Sequence, residues 1–166
     1  DGTFPDQSLF EVGRYPAALI TGDFNNDGRL DLVTANGLAE PISVGLGLGN
    51  GTFTSPGACS PIIQAKPLVA DWNFDGVLDV IVLRNDGKLL FRAGTGNGSF
   101  ESPVVINPEL EETARHATLL VSEGVPLLVT VHSRAEVLGF FVFQQGRFVE
   151  IGEPAVPGIL PSRVLA

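Results

Sequence analysis

An acidic segment of nine residues occurs twice and decides the fold, first as Asp23-Phe24-Asn25-Asn26-Asp27-Gly28-Arg29-Leu30-Asp31 and again as Asp71-Trp72-Asn73-Phe74-Asp75-Gly76-Val77-Leu78-Asp79. Both copies follow the pattern Asp-x-Asn-x-Asp-Gly-x-Leu-Asp, and they begin 48 residues apart. Each copy lies between two short apolar stretches of the kind that form β-strands. The segment is therefore predicted to be a strand–loop–strand element that recurs along the chain.

A second marker has the same period. Gly-x-Phe triplets end at Phe4, Phe53, Phe100 and Phe148, which are 49, 47 and 48 residues apart. Two independent markers with one period indicate a structural repeat. Four short antiparallel strands in about 48 residues are typical of one blade of a β-propeller.

Each repeat is predicted to contain four strands. In the first repeat they cover 18–21, 30–35, 42–48 and the residues from 53 onward; in the second they cover 67–70, 78–83, 88–93 and 100–105. The third repeat keeps strands at 117–121, 126–131 and 137–144, but a short turn at Glu123-Gly124 replaces the acidic loop. Glycine supplies the positive φ that such a tight hairpin needs.

The fold class is predicted to be all-β, a β-propeller segment built of four-stranded antiparallel blades. Residues 1–166 are predicted to form a single segment of about three and a half blades, with repeats at approximately 16–60, 65–108 and 115–153 and partial blade strands at 1–15 and 154–166. Propellers usually close with about four to eight blades. We therefore expect either a longer parent protein that supplies the remaining blades or a second copy that completes a seven-bladed ring.

Composition excludes several classes of protein. Hydrophobic residues make up 44% of the 166 residues and charged residues 17%, which argues against intrinsic disorder. The net charge of −9 has the wrong sign for binding nucleic acid, and no apolar stretch is long enough to insert into a membrane as a helix. The single cysteine, Cys59, can form no internal disulfide.

The acidic loops are predicted to bind metal. Alternate oxygen side chains on a tightly curled backbone converge on one point, and hard oxygen ligands at this spacing suit Ca²⁺. An EF-hand is excluded, because Thr34 and Val82 stand where it needs a glutamate. Two calcium sites are predicted, in which residues 29 and 77 contribute backbone carbonyls: Asp23, Asn25, Asp27, Arg29 and Asp31 in the first, and Asp71, Asn73, Asp75, Val77 and Asp79 in the second.

An alternative interpretation is that both loops are Asx-type turns that bind no metal. Repulsion among three carboxylates within nine residues, repeated in two loops, favours calcium over this alternative. Two bound Ca²⁺ ions would reduce the net charge from −9 to −5.

The acidic loop followed by Leu-Val or Val-Ile, together with Gly-Asn-Gly-Thr/Ser-Phe, resembles the FG-GAP and VCBS repeats of extracellular β-propellers. This family includes relatives of integrin α-chains and microbial propeller lectins. Val33-Thr34-Ala35-Asn36 and Ile81-Val82-Leu83-Arg84 stand where integrins carry Phe-Gly or Gly-Ala-Pro elements, which favours the microbial branch. The resemblance implies a secreted, extracellular or cell-surface location.

No catalytic signature is found in the sequence. Neither His116 nor His132 has a partner at a recognised catalytic spacing. The glycine runs at 45–49 and 94–98 match no phosphate-binding pattern and are interpreted as repeated strand and turn elements. Phe24 and Trp72 are predicted to be wedges between blades rather than platforms for a sugar.

The predicted function is that of a non-catalytic calcium-binding propeller module, not an enzyme, that recognises a carbohydrate or protein ligand. The alternative is a structural scaffold within a larger secreted enzyme or toxin whose active site lies outside this segment.

Overall fold

The computed structural model of the chain describes residues 9–12, 16–36, 42–54, 57–58, 66–84, 86–106, 114–132 and 138–151. Within these ranges the chain forms twelve β-strands and no helix. Cys59, the triplet that ends at Phe4 and the partial strand predicted at 154–166 lie outside the described residues.

The strands form three four-stranded antiparallel sheets, and in each sheet the strands lie in chain order. Sheet 1 contains β1 (Pro16–Gly22), β2 (Asp31–Asn36), β3 (Ile42–Gly45) and β4 (Gly57–Ala58). Sheet 2 contains β5 (Lys66–Ala70), β6 (Asp79–Leu83), β7 (Leu89–Arg92) and β8 (Val104–Val105). Sheet 3 contains β9 (Ala114–Ser122), β10 (Val125–His132), β11 (Leu138–Gln144) and β12 (Arg147–Ile151).

The fourth strands of sheets 1 and 2 begin later than the sequence predicts. Phe53 and Phe100 form isolated bridges to Gly47 and Gly94, and strands β4 and β8 start a few residues beyond them. A proline, Pro56 or Pro103, directly precedes each of these strands in the sequence and has no N–H to donate to the ladder. Sheet 3 has no proline at this point, so β12 runs on from Arg147 through Phe148.

Sheet 3 has tight turns in place of an acidic loop. In the β9–β10 turn Glu123 and Gly124 have φ angles of 52° and 82°, and in the β11–β12 turn Gln145 and Gly146 have φ angles of 51° and 80°. Two consecutive positive φ angles are the requirement of a type I′ hairpin turn. The short turn predicted at Glu123-Gly124 is therefore confirmed.

The first strands of the three sheets are neighbours, because β1 contacts β5 and β5 contacts β9. Side chains from all three strands, among them Ile20, Leu68 and Leu119, line an open cavity of about 690 Å³. The first strand of every sheet therefore lies on the same side of the molecule.

Two apolar clusters fill the spaces between neighbouring sheets. The cluster between sheets 1 and 2 includes Val33, Ile42, Val80 and Val82, whereas Ile81 belongs to the cluster between sheets 2 and 3. Because successive residues of a strand point to opposite faces, β6 supplies both clusters. This explains why β6 is an unbroken apolar run after its first residue and why all five of its residues are buried.

An aromatic residue at the second position of each acidic loop inserts between two sheets. Phe24 is 1% exposed and contacts Phe100 of the next repeat edge to face, with ring centroids 5.7 Å apart. Trp72 is fully buried and contacts Phe148 in the same way at 5.8 Å. Both residues therefore pack as wedges, as the sequence predicts, and neither offers an exposed platform for a sugar.

A third aromatic contact was not predicted. Phe10 packs against Phe53 on the face of sheet 1 that points away from sheet 2, with ring centroids 5.4 Å apart. A Cβ atom on Gly45 would lie 2.9 Å from the Phe10 ring, so only glycine leaves room for it. The repeat phenylalanine of each sheet thus contacts an aromatic residue from outside that sheet.

The wedge predicts a large loss of stability for Trp72→Ala. Removing a fully buried Trp leaves a cavity between sheets 2 and 3 and should lower the free energy of unfolding by about 3–5 kcal/mol. Phe74→Ala is the matched control, because Phe74 lies two residues away in the same loop and is 57% exposed. It should change stability by less than about 0.5 kcal/mol in urea denaturation. Equal losses in the two variants would contradict the wedge.

Candidate metal centres

The two acidic loops occupy equivalent places in sheets 1 and 2. The first joins β1 to β2 and the second joins β5 to β6, and the last aspartate of each segment is the first residue of the following strand. Residues 24–29 and 72–77 form continuous bends. Gly28 and Gly76, at the sixth position, have φ angles of 81° and 84°, which turn each loop back on itself.

In the first loop the Asp23 carboxylate accepts hydrogen bonds from the far side of the bend. Asp27 N donates to its Oδ1 at 3.1 Å, and Gly28 N donates to its Oδ2 at 2.8 Å. The Asn25 side-chain oxygen accepts from the same Asp27 N at 3.2 Å. Sharing one donor brings the oxygens of Asp23 and Asn25 close together on the inner side of the loop.

The third predicted side-chain ligand of this loop belongs to the same network. Asp27 Oδ1 accepts from Arg29 N at 2.9 Å, and Asp27 Oδ2 accepts from Asn25 Nδ2 at 3.0 Å. The structure therefore brings together the side chains at the first, third and fifth positions. The carbonyl of Arg29, at the seventh position, accepts no hydrogen bond from any described residue.

The second loop repeats this network. Asp75 N donates to Asp71 Oδ1 and to Asn73 Oδ1, both at 3.0 Å, and Gly76 N donates to Asp71 Oδ2 at 2.9 Å. Val77 N donates to Asp75 Oδ1 at 2.8 Å, and Asn73 Nδ2 donates to Asp75 Oδ2 at 2.8 Å. Two loops of different sequence at the variable positions thus adopt one conformation.

The last aspartate of the first loop is buried and connects three parts of sheet 1. Asp31 Oδ2 accepts from Phe24 N and Asp31 Oδ1 accepts from Gly47 N, each at 2.8 Å. Asp31 is predicted from the sequence to be the closing metal ligand, and each of its oxygens already accepts a backbone amide. An ionised carboxylate has about four lone-pair sites, so it retains acceptor capacity for an ion.

Asp79 has the same position in sheet 2. Its Oδ2 accepts from Trp72 N at 2.9 Å and from Asn73 N at 3.3 Å, and its Oδ1 accepts from Gly94 N at 2.8 Å. Burial raises the pKa of the Asp79 carboxyl from an ordinary 3.8 to about 6, although these amide hydrogen bonds lower it. The nearby charge of Asp75 raises it further.

Gly47 and Gly94 are functional residues whose role sequence reasoning missed. A Cβ atom at either position would collide with the backbone carbonyl of Leu30 or Leu78. Only glycine therefore lets the amide reach the buried aspartate. The signal was present in the sequence, because both glycines lie at the same offset from the repeat phenylalanine, but it did not reveal the acceptor.

The two loops differ in charge compensation. Arg29 lies 3.9 Å from the Asp27 carboxylate, an exposed and weak ion pair. Val77 replaces arginine in the second loop, and no described cation forms an ion pair with Asp71, Asp75 or Asp79. Within the described residues, the second loop therefore concentrates negative charge without a paired cation to balance it.

The donor set suits a hard cation only if amide and carbonyl oxygens take part. No three His, Cys, Asp or Glu side chains in the described part of the chain are grouped to hold a metal by themselves. Each loop instead combines two carboxylates, one amide oxygen and one carbonyl that accepts no hydrogen bond from the described residues, with a buried carboxylate at its base. Oxygen ligands of mixed type are what Ca²⁺ binds in proteins, so the residues fit this ion.

The structure describes the side chain of one of the two histidines and the turn that replaces the acidic loop in sheet 3. His116 is exposed on β9, and the β9–β10 turn has no carboxylate cluster. The described ranges contain no helix long and apolar enough to cross a bilayer.

Comparison with known proteins supports the repeat. A family model described as an FG-GAP-like repeat matches residues 23–82, which include both acidic loops. The predicted resemblance to FG-GAP repeats is thereby confirmed for this segment. No curated protein and no solved structure matches the chain.

The pKa of Asp79 predicts how stability depends on pH in calcium-free buffer. Between about pH 4 and pH 6 the unfolded chain releases this proton while the folded protein keeps it, so stability falls as the pH rises. The fall attributable to Asp79 should approach about 3 kcal/mol. Urea denaturation across this range should show it in the wild type and not in Asp79→Asn.

Asp86→Asn is the control for this measurement, because Asp86 is an exposed carboxylate in the β6–β7 turn. It should keep the wild-type pH dependence. A dependence that persists unchanged in Asp79→Asn would show that the buried carboxyl does not cause it.

Proposed function

We propose that the chain is a non-catalytic calcium-binding module of a β-propeller, with one structural Ca²⁺ in each acidic loop. The observation that carries this proposal is the identical hydrogen-bond network of the two loops, which turns the side chains of the first, third and fifth positions inward in both. The amide hydrogen bonds fix each turn, but they leave the first- and fifth-position carboxylates in one tight bend, and a bound cation would offset the repulsion between them.

In the proposed sites the loop side chains hold the ion and the backbone holds the loop. Asp23, Asn25 and Asp27 in the first loop, and Asp71, Asn73 and Asp75 in the second, contribute side-chain oxygens. Asp31 and Asp79 close the sites from the buried side, and residues 29 and 77 contribute carbonyls. Bound Ca²⁺ supplies positive charge that neutralises the carboxylates and thereby stabilises the fold.

The propeller architecture is part of the proposal. Three four-stranded meanders whose first strands are neighbours, with apolar clusters between successive sheets, are the arrangement of adjacent propeller blades. Three blades do not close a ring. We therefore propose that the repeats at 16–60, 65–108 and 115–153 are completed by further blades of a longer protein or by a second copy.

The biological role is proposed to be recognition of a carbohydrate or a protein partner outside the cell or at its surface. The FG-GAP-like repeat supports an extracellular-type module. A glycan array probed with and without calcium tests the carbohydrate version, and binding that requires calcium would support it.

The calcium sites are tested by unfolding the wild type and the double variant Asp27→Asn, Asp75→Asn with calcium and with excess chelator. Asparagine removes the charge and keeps an oxygen to accept the amide bonds from Arg29 and Val77, so these backbone hydrogen bonds of the turns are kept. Only the bond that the Asn25 or Asn73 side chain donates is lost. At about 100 times its dissociation constant, calcium should add about 2.7 kcal/mol per site to the wild type. The double variant should gain far less.

Asp86→Asn provides the same chemical change outside the loops and should respond to calcium as the wild type does. If calcium changes the unfolding of none of the three proteins, the loops are Asx turns and the metal proposal is wrong. The description of the repeat fold does not depend on this result.

A further inference from the structure

The turns that precede the repeat phenylalanines contain Asn-Gly pairs at equivalent positions. Asn50-Gly51 lies in sheet 1 and Asn97-Gly98 in sheet 2, and both asparagines are exposed. In an Asn-Gly pair the glycine nitrogen can attack the asparagine side chain, because glycine has no Cβ to obstruct the approach. A third pair begins at buried Asn36, and its glycine lies outside the described residues.

We propose that Asn50 is a site of spontaneous deamidation and that Asn97 is protected from it by the packing of sheet 1 on sheet 2. In the reaction, Gly51 N loses its proton and forms a bond to Asn50 Cγ, and the Cγ–Nδ2 bond breaks with release of ammonia. Solvent water then opens the resulting succinimide to aspartate or isoaspartate.

The side-chain carbonyls of the two pairs accept similar hydrogen bonds, although the Thr95 hydroxyl is shared with Ser99 O. Asn50 Oδ1 accepts from Thr52 N at 3.0 Å and from Thr52 Oγ1 at 2.6 Å. Asn97 Oδ1 accepts from Ser99 N at 3.0 Å and from Thr95 Oγ1 at 2.7 Å. In each pair an amide and a hydroxyl polarise the side-chain carbonyl and stabilise the negative charge that attack places on its oxygen.

The nucleophiles differ. Gly98 N donates to Phe24 O at 3.1 Å, across the boundary between sheets 1 and 2, so its proton is held and its nitrogen is fixed in direction. Gly51 N has no hydrogen-bond acceptor among the described residues. The Leu46 side chain also packs closely against Gly98, whereas the space where a Gly51 Cβ would stand is open.

The consequence is a difference in chemical lifetime between the equivalent turns of two repeats. Deamidation at Asn50 adds one negative charge, and the isoaspartate product lengthens the backbone of the turn that brings Phe53 to Gly47. The corresponding turn of sheet 2 loses its asparagine more slowly as long as Phe24 remains inserted.

Both asparagines begin an Asn-x-Ser/Thr glycosylation sequence, so the protein is produced without glycans. The test is incubation of this folded protein at mildly alkaline pH, followed by proteolysis and mass spectrometry of the peptides that contain Asn50 and Asn97. Asn50 should deamidate about two- to tenfold faster than Asn97. This is the difference in rate that the free energy of one hydrogen bond produces. Equal rates, or faster loss of Asn97, would overturn the proposal.

Two controls separate the fold from the local sequence. In denaturant the two sites should react at similar rates, because the Gly98 hydrogen bond is lost. If the difference in rate persists there, it is caused by the residue that follows each Asn-Gly pair, Thr52 or Ser99, and the proposal is refuted. Phe24→Ala should accelerate loss of Asn97 and leave Asn50 unchanged. If this variant does not fold, amide hydrogen exchange of the wild type decides, because Gly98 must exchange more slowly than Gly51.

Discussion

The structure depends on a buried aspartate at the start of the second strand of sheets 1 and 2. Asp31 accepts one amide and Asp79 two from the preceding loop, and each accepts another from a residue 16 or 15 positions further on. A carboxylate placed in this way ties the loop to the segment just beyond the third strand of its own sheet. Removing it would leave buried amides without acceptors, which costs more than the hydrogen bonds themselves contribute.

Once the aspartate holds the loop, the aromatic residue beside the bonded amide is directed between the sheets. Phe24 and Trp72 donate their own backbone N–H to this aspartate and insert their rings against Phe100 and Phe148. Each sheet is therefore stabilised mainly by its immediate neighbour, as in other repeat proteins. Sheet 3 lacks such a loop, and its first two strands are joined by two turn residues instead.

Much of this follows from the sequence, because strand positions depend on local alternation and turns on glycine. The repeat, the type of sheet and the insertion of Phe24 could be predicted, as could the convergence of Asp23, Asn25 and Asp27. The amide-accepting role of Asp31 could not, since it depends on a contact with Gly47 that no local pattern encodes. The binding of an ion by these groups stays a prediction.

The proposed metal ion and the buried aspartates both affect the free energy of unfolding. Burial makes the charged form of Asp79 costly, and a cation in the adjacent loop would favour that form and offset part of the cost. The first loop already has Arg29 beside Asp27, whereas the second has no such cation among the described ion pairs. On electrostatic grounds the second loop would therefore gain more from the proposed calcium ion, and the Trp72 wedge that it positions would be the more strongly coupled to that ion.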